Sequence, residues 1–545
     1  MSRAGMALLF SRESKCEIEW VRDSGLGVKI MLETIQQAVK THDKYQIEIK
    51  LDYEFHPSKK TRYQVSTYIF IPQSLGVHRH NYDRADFYRD IQNYIRLKTP
   101  TFILRDFTEN PASPLAIIAD IIANPNWPHQ PEAKARLIDS FKLMRAMLKS
   151  SLREHMSHIQ KRITAASPKT KINLLINNLV EEFLVETRSI VEKYRSFYPE
   201  FNLPNVDPEI FIVYHLTDEA ISILIEENSV EIFQIVETYL KKSESTDFKH
   251  KLCERVTAET NHRKAMGYRS ILKDGDDNEE FVYRTSVLKK YASSILFLST
   301  GIYREGVGLE QMLYSIAAGL SMVFATVVAF YFQYYYGNFT FPFFVALVVG
   351  YMFKDRIKEA GRSLFARYLQ NSLYDRRIII RTLDGQYKLG ILREKVSFVR
   401  EHDIPPGIMA ARNRDQITTL ANDGQGEYVI CYSKDIELYT AAVKKQFVDL
   451  PEISGINDIM RYDIRAYLKK MAEPVQEKVY LKNGELKTIL CHKVYHLNFV
   501  SKYKSIYPKQ EEIYKRTRLV LNQEGIKRVE HVPVLVSIDR VGTMG

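Results

Sequence analysis

The sequence predicts an α+β multidomain membrane protein, with a two-helix transmembrane hairpin between an N-terminal α+β and helical-bundle region and a C-terminal β-rich domain. Three observations lead there. Residues 311–353 form a run of 43 without a single Asp, Glu, Lys, Arg or His. Ahead of it, from Pro114 to Met266, apolar residues recur at helical spacing. Beyond Arg376 the pattern turns to short alternating runs separated by Asp-Gly and Asn-Gly pairs.

Residues 1–110 read as a small α+β domain. Between 45 and 55, Tyr45, Ile47, Ile49, Leu51, Tyr53 and Phe55 alternate with Gln46, Glu48, Lys50, Asp52 and Glu54, the mark of a half-buried strand. Residues 57–60 turn the chain into a second strand over 62–71. Asp83 is placed to cap a helix whose Phe87, Ile91, Tyr94 and Ile95 share a face, ending before Pro100. Residues 111–273 read as a bundle of four to six helices. Leu137, Phe141, Met144, Leu148, Leu152 and Ile159 form one stripe, and Leu175, Leu179, Phe183, Ile190 and Tyr194 another. Pro125 to Pro131, Ser167 with Pro168, and Tyr198 to Pro208 break them. Residues 274–310 read as an acidic linker and a segment, 291–300, that either lies in a membrane interface or packs in the bundle.

A bilayer core of roughly 30 Å needs about 20 apolar residues per helix, so residues 311–353 suggest two spans, 311–333 and 341–353. Tyr334, Tyr335, Tyr336, Gly337 and Asn338 supply an interfacial turn between them. An uncharged run of this kind also serves as core in soluble proteins, and one long span with a re-entrant piece is the third arrangement. Ala317, Ser321, Ala325 and Ala329 recur every four residues, as do Ala346 and Gly350. Small residues at this spacing let helices approach closely, either within one chain or between subunits of a homo-oligomer.

Residues 354–375 read as a basic juxtamembrane amphipathic helix. Lys354, Arg356, Lys358, Arg362 and Arg367 are expected to meet anionic lipid headgroups. Residues 376–545 read as a β-rich cytoplasmic domain with hairpins at Asp384-Gly385 and Asn483-Gly484, and with a helix over 456–471. Of the net charge of +11, the part from Lys354 onward supplies +10. Its densest cluster abuts the apolar run, which favours lipid over nucleic acid as partner. With Lys289, Lys290 and Arg304 on the other flank, the charge distribution places both termini in the cytoplasm. Cys16, Cys253, Cys431 and Cys491 show no paired spacing, so neither a disulfide framework nor a zinc site is expected. The first ten residues are too short and too weakly apolar for a signal peptide.

No phosphate loop, dinucleotide fingerprint, nucleophile elbow or zinc helix occurs. His155 with His158, and His78 with His80, are pairs lacking a third metal ligand, so no metal or cofactor is expected. The function that follows is a membrane-anchored scaffold or signalling protein with unidentified cytoplasmic protein partners. The alternatives are a pore of several hairpins lined by Ser321 and Thr326, and an enzyme acting on lipid or nucleotide.

Overall fold

The computed structural model describes residues 35–55, 60–165, 169–239, 242–338, 340–413, 426–447, 453–507 and 511–534. The chain forms two units. One combines residues up to Ile95 with Ser299–Ala442 and Asn457–Gly545; the other combines Arg96–Leu298 with Val443–Ile456.

The first unit is a pair of facing sheets. Its strands in chain order are β1 (Ile35–Thr41), β2 (Gln46–Glu54), β3 (Thr61–Pro72), β4 (Ile91–Leu97), β5 (Ser299–Arg304), β6 (Arg376–Arg381) and β7 (Lys388–Val399). There follow β8 (Glu427–Leu438), β9 (Gly455–Asp463), β10 (Val475–Lys482), β11 (Glu485–His492), β12 (Tyr495–Tyr507), β13 (Glu511–Asn522) and β14 (Gly525–Val532). An eight-stranded antiparallel sheet runs β14-β13-β12-β3-β8-β7-β6-β5, and a four-stranded sheet runs β1-β2-β9-β4. Alternation explains the packing. Ile47, Ile49, Leu51 and Tyr53 of β2 turn inward with Met460 and Tyr462 of β9, against Val65, Tyr432 and Tyr503 of the larger sheet. The opposite face of that sheet packs Phe70, Val429 and Val500 against Ile408 and Ala411 of the helix Pro406–Arg412.

This topology corrects the predicted fold class. The N-terminal α+β region and the C-terminal β-rich domain are not successive bodies, because β3 lies between β12 and β8 at the centre of one sheet. The two strands on either side of residues 57–60 do not pair, because β2 and β3 belong to different sheets. The two-helix transmembrane hairpin is likewise corrected. Helix Val307–Tyr336 is the one described helix long and apolar enough to cross a membrane. Its successor, Phe341–Ser372, turns charged from Lys354 on. Two local expectations also fail. Asp83 does cap a helix, with a reciprocal bond from Asp86, but the helix stops at Asp90 and residues 91–97 become β4. Of residues 456–471, expected as a helix, the first half belongs to β9, where Ile456, Asp458, Met460 and Tyr462 are buried, and Arg465–Leu468 forms one helical turn.

The second unit is helical: Pro114–Ile122, Pro131–Ala165, Lys169–Arg195, Pro208–Tyr239, Lys242–Ala265 and Glu279–Ser293. Phe141, Tyr194, Phe201 and Tyr214 form its aromatic centre, with Tyr194 and Tyr214 stacked at 4.9 Å. Of the two alternatives for segment 291–300, packing is the one observed up to Leu298: Ala292, Leu296 and Leu298 are buried, and the chain then enters β5. The break at Ser167 and Pro168 and the turn at 57–60 lie wholly or partly outside the described residues.

Candidate membrane interface

The interface begins at the edge of the large sheet. Strands β5 and β6 pair in antiparallel register with Arg304 opposite Arg376, and the chain between them is almost wholly two helices. At about 1.5 Å per residue, helices of 30 and 32 residues run some 45 and 48 Å. Gly306 opens the first with φ +77°, and a β-carbon there would strike Leu373 at the end of the second, so the two ends meet at the sheet. Pro342 occupies the first turn of the second helix, where its missing N–H costs no hydrogen bond.

The helices lie against each other along their small residues. A β-carbon at Gly361 would sit 3.0 Å from that of Ala317, and one at Gly350 would sit 3.2 Å from Val328. Ala317, Ser321, Ala346 and Gly350 are buried, and Ala325 and Ala329 half-buried. The four-residue stripe therefore faces the seam between the helices. Away from it the side chains are exposed: Leu320 60%, Phe330 67%, Phe341 77% and Tyr334 84%. Of the most apolar 18-residue window of the first helix, 11% is buried, which rules out a core helix.

The same seam shows why two full spans do not fit. Gly350 faces Val328 and Gly361 faces Ala317, so Lys354, Asp355, Arg356, Lys358 and Glu359 lie beside the stretch between Ala317 and Val328. Both helices are free of charge together over only about a dozen residues, roughly 18 Å, against a bilayer core of roughly 30 Å. A span centred on the first helix would carry the charges of the second into hydrocarbon.

The basic residues sit where that shared apolar length ends. Lys354 Nζ lies 4.5 Å from the Tyr351 ring, and the Arg362 guanidinium 5.7 Å from the Tyr314 ring. Arg356 makes an exposed 3.4 Å pair with Glu359. Arg362 and Arg367 are exposed, and Lys354 and Lys358 half-exposed. Arg304 bonds Glu310 at 2.8 Å, and Tyr314 donates to Glu310 at 2.7 Å. Sequence patterning singled out the basic residues here, but not their aromatic and acidic neighbours, nor the register that sets Lys354 beside the middle of the apolar helix.

Buried polar clusters are the features that sequence reading missed, because their members come from distant strands and helices. Between the two sheets, Lys434 donates to Asp458 at 2.6 Å, both almost wholly buried. Glu394 accepts from Tyr432 at 2.5 Å and from Asn93 at 2.7 Å, and burial raises its carboxyl above the usual range. At one border Asp435 takes two bonds from Arg62, at 3.0 and 2.5 Å. Burial opposes its charge, yet Arg62 and Gln64 hold it below the usual range. The cavity here, lined by Ile49, Leu51, Tyr432 and Lys434, is about 10 Å³, room for one water. In the helical unit Asp218 accepts from Arg195 at 3.0 Å and Tyr268 at 3.0 Å, and meets His262 at 2.6 Å. Glu219 is clasped by Arg284 at 2.6 and 2.8 Å. These are buried hydrogen-bond and ion-pair networks internal to their units, in which Glu394 Oε2 and Asp458 Oδ1 have no partner among the described residues.

His155 lies 3.1 Å from the Leu179 carbonyl, and the rings of His78 and His80 are 5.8 Å apart. No group of three or more metal-ligating residues forms among the described residues. No family model, curated protein or solved structure matches the chain.

Proposed function

We propose that this protein is a membrane-anchored cytoplasmic scaffold, held to an anionic bilayer by the helices between β5 and β6. One observation carries the reading: an apolar helix exposed on every face but its seam adjoins a basic cluster on the neighbouring helix. In water such a surface would drive aggregation; hydrocarbon covers it without cost. Lys354, Arg356, Lys358, Arg362 and Arg367 then meet phosphate headgroups, each contributing up to about 1 kcal/mol.

The pair enters from one side. Since Arg304 and Arg376 face each other across β5 and β6, the chain leaves and rejoins the sheet on the same surface, and the positive flanks make that surface cytoplasmic. The short shared apolar length suits oblique insertion, with Val307–Tyr336 toward hydrocarbon and the basic half of Phe341–Ser372 toward headgroups. The two soluble units, each with its own core, are what this anchor holds at the membrane for protein partners. A pore draws no support from the side chains proposed to line it: Ser321 is buried and donates to the Ala318 carbonyl at 2.8 Å, and Thr326 donates to Met322 at 3.0 Å.

Flotation of the full chain with sealed vesicles tests the reading. The chain is expected to float with anionic vesicles more strongly than with zwitterionic ones, and the difference should shrink about tenfold or more when Lys354, Arg356 and Lys358 are replaced by serine. A chain that stays with the soluble fraction beside both vesicle types would sink it.

A further inference from the structure

Helix Pro131–Ala165 is buried on nearly every side from Ser140 to Leu148, and Arg145 lies in this stretch, 5% exposed. Its Nε and Nη1 are buried without a hydrogen-bond partner, and it forms no ion pair among the described residues. The other deeply buried arginines differ. Arg263 is held by Glu226, Arg412 by Glu427 at 2.8 Å, and Arg516 by Asn498 at 3.0 Å. A guanidinium cannot shed its proton, and a buried charge without a counter-ion is strongly destabilising.

More positive charge gathers at the same place. Lys149 and Arg153 follow Arg145 at intervals of four, on one side of the helix. Lys289 acts on Lys149 from helix Glu279–Ser293, which meets helix Pro131–Ala165 where Lys142 Nζ lies 5.0 Å from the Tyr291 ring. The Lys149 amine is pushed down to about 8, by burial first and then by Lys289 and Arg145. One carboxylate faces the cluster, Glu227 of helix Pro208–Tyr239; it acts from a distance and pairs with neither Arg145 nor Lys149. Lys149 and Lys289 keep exposed surface on the solvent side of the buried Arg145.

We propose that Arg145, Lys149 and Lys289 form a binding site for a phosphate-bearing anion. A carboxylate would neutralise one of these cations. A phosphate monoester carries close to two negative charges and three acceptor oxygens, enough to engage the guanidinium and both ammonium groups together. The phosphate is either free or the headgroup of a lipid phosphomonoester.

Thermal unfolding of the full chain in nanodiscs tests the site, with inorganic phosphate, with glycerol phosphate as the soluble form of the lipid headgroup, and with chloride at matched ionic strength. Either phosphate should raise the midpoint where chloride does not. Lys149→Met and Lys289→Met should each weaken the apparent affinity about tenfold, and Arg145→Met should abolish the response. The two lysine variants change exposed positions, so they report even where the arginine variant does not fold. Stronger stabilisation by glycerol phosphate assigns a lipid phosphomonoester; stronger stabilisation by inorganic phosphate assigns the free anion. No phosphate response in the parent chain, or an equal one in parent and lysine variants, overturns the site.

Discussion

At the scale of residues, two buried carboxylates give the first unit opposing pH dependences. Glu394 is raised by burial, so the folded state favours its neutral form; that contribution is full below the ordinary glutamate range and is lost as pH rises through the folded value. Asp435 is lowered, so its contribution is full above the ordinary aspartate range and is lost as pH falls through the folded value. Urea midpoints measured across pH should therefore fall on both sides of a maximum. Glu394→Gln should flatten the alkaline limb alone, and Arg62→Met the acid limb alone. A limb that ignores its variant would remove that residue from the account. Which carboxylates are buried was legible only in part. Alternation marked Ile49 and Tyr53 as inward, but nothing local marks Glu394 or Asp458, whose burial depends on Tyr432, Asn93 and Lys434 from other strands.

At the scale of elements, features set by neighbouring residues were readable. Asn483 and Gly484 both take positive φ, at 54° and 83°, and close the β10–β11 hairpin as the Asn-Gly signal predicts. The cap at Asp83 and the stripes of the helical unit belong to the same class. Residues 91–97 and 456–463 misled because apolar positions there satisfy helical and strand periods alike, and the choice was made by strands elsewhere in the chain. The β10–β11 ribbon adds a second lesson. It alternates well, with Val479, Leu481, Leu486 and Leu490 on one face, yet all four are exposed. Replacing Leu486 and Leu490 with lysine should change the unfolding free energy of the full chain, read from urea titration, by no more than about 0.5 kcal/mol per site. A loss of several kcal/mol would mean that the ribbon is part of the core.

At the scale of the whole molecule, the chain is a set of interleaved segments. Thr67 and Ser501 are hydrogen-bond partners 434 residues apart, so no reading along the sequence could have placed β3 beside β12. The same interleaving makes the two helices between β5 and β6 separable. Because β5 and β6 are neighbours with Arg304 opposite Arg376, replacing residues 306–373 by Asn-Gly would leave a short hairpin connection inside a sheet that is otherwise complete. Flotation of this shortened chain beside the full chain, without detergent, is the measurement that bears most directly on membrane attachment. The account predicts a soluble protein that unfolds cooperatively and stays behind when anionic vesicles rise. A shortened chain that rises with those vesicles as the full chain does would contradict it.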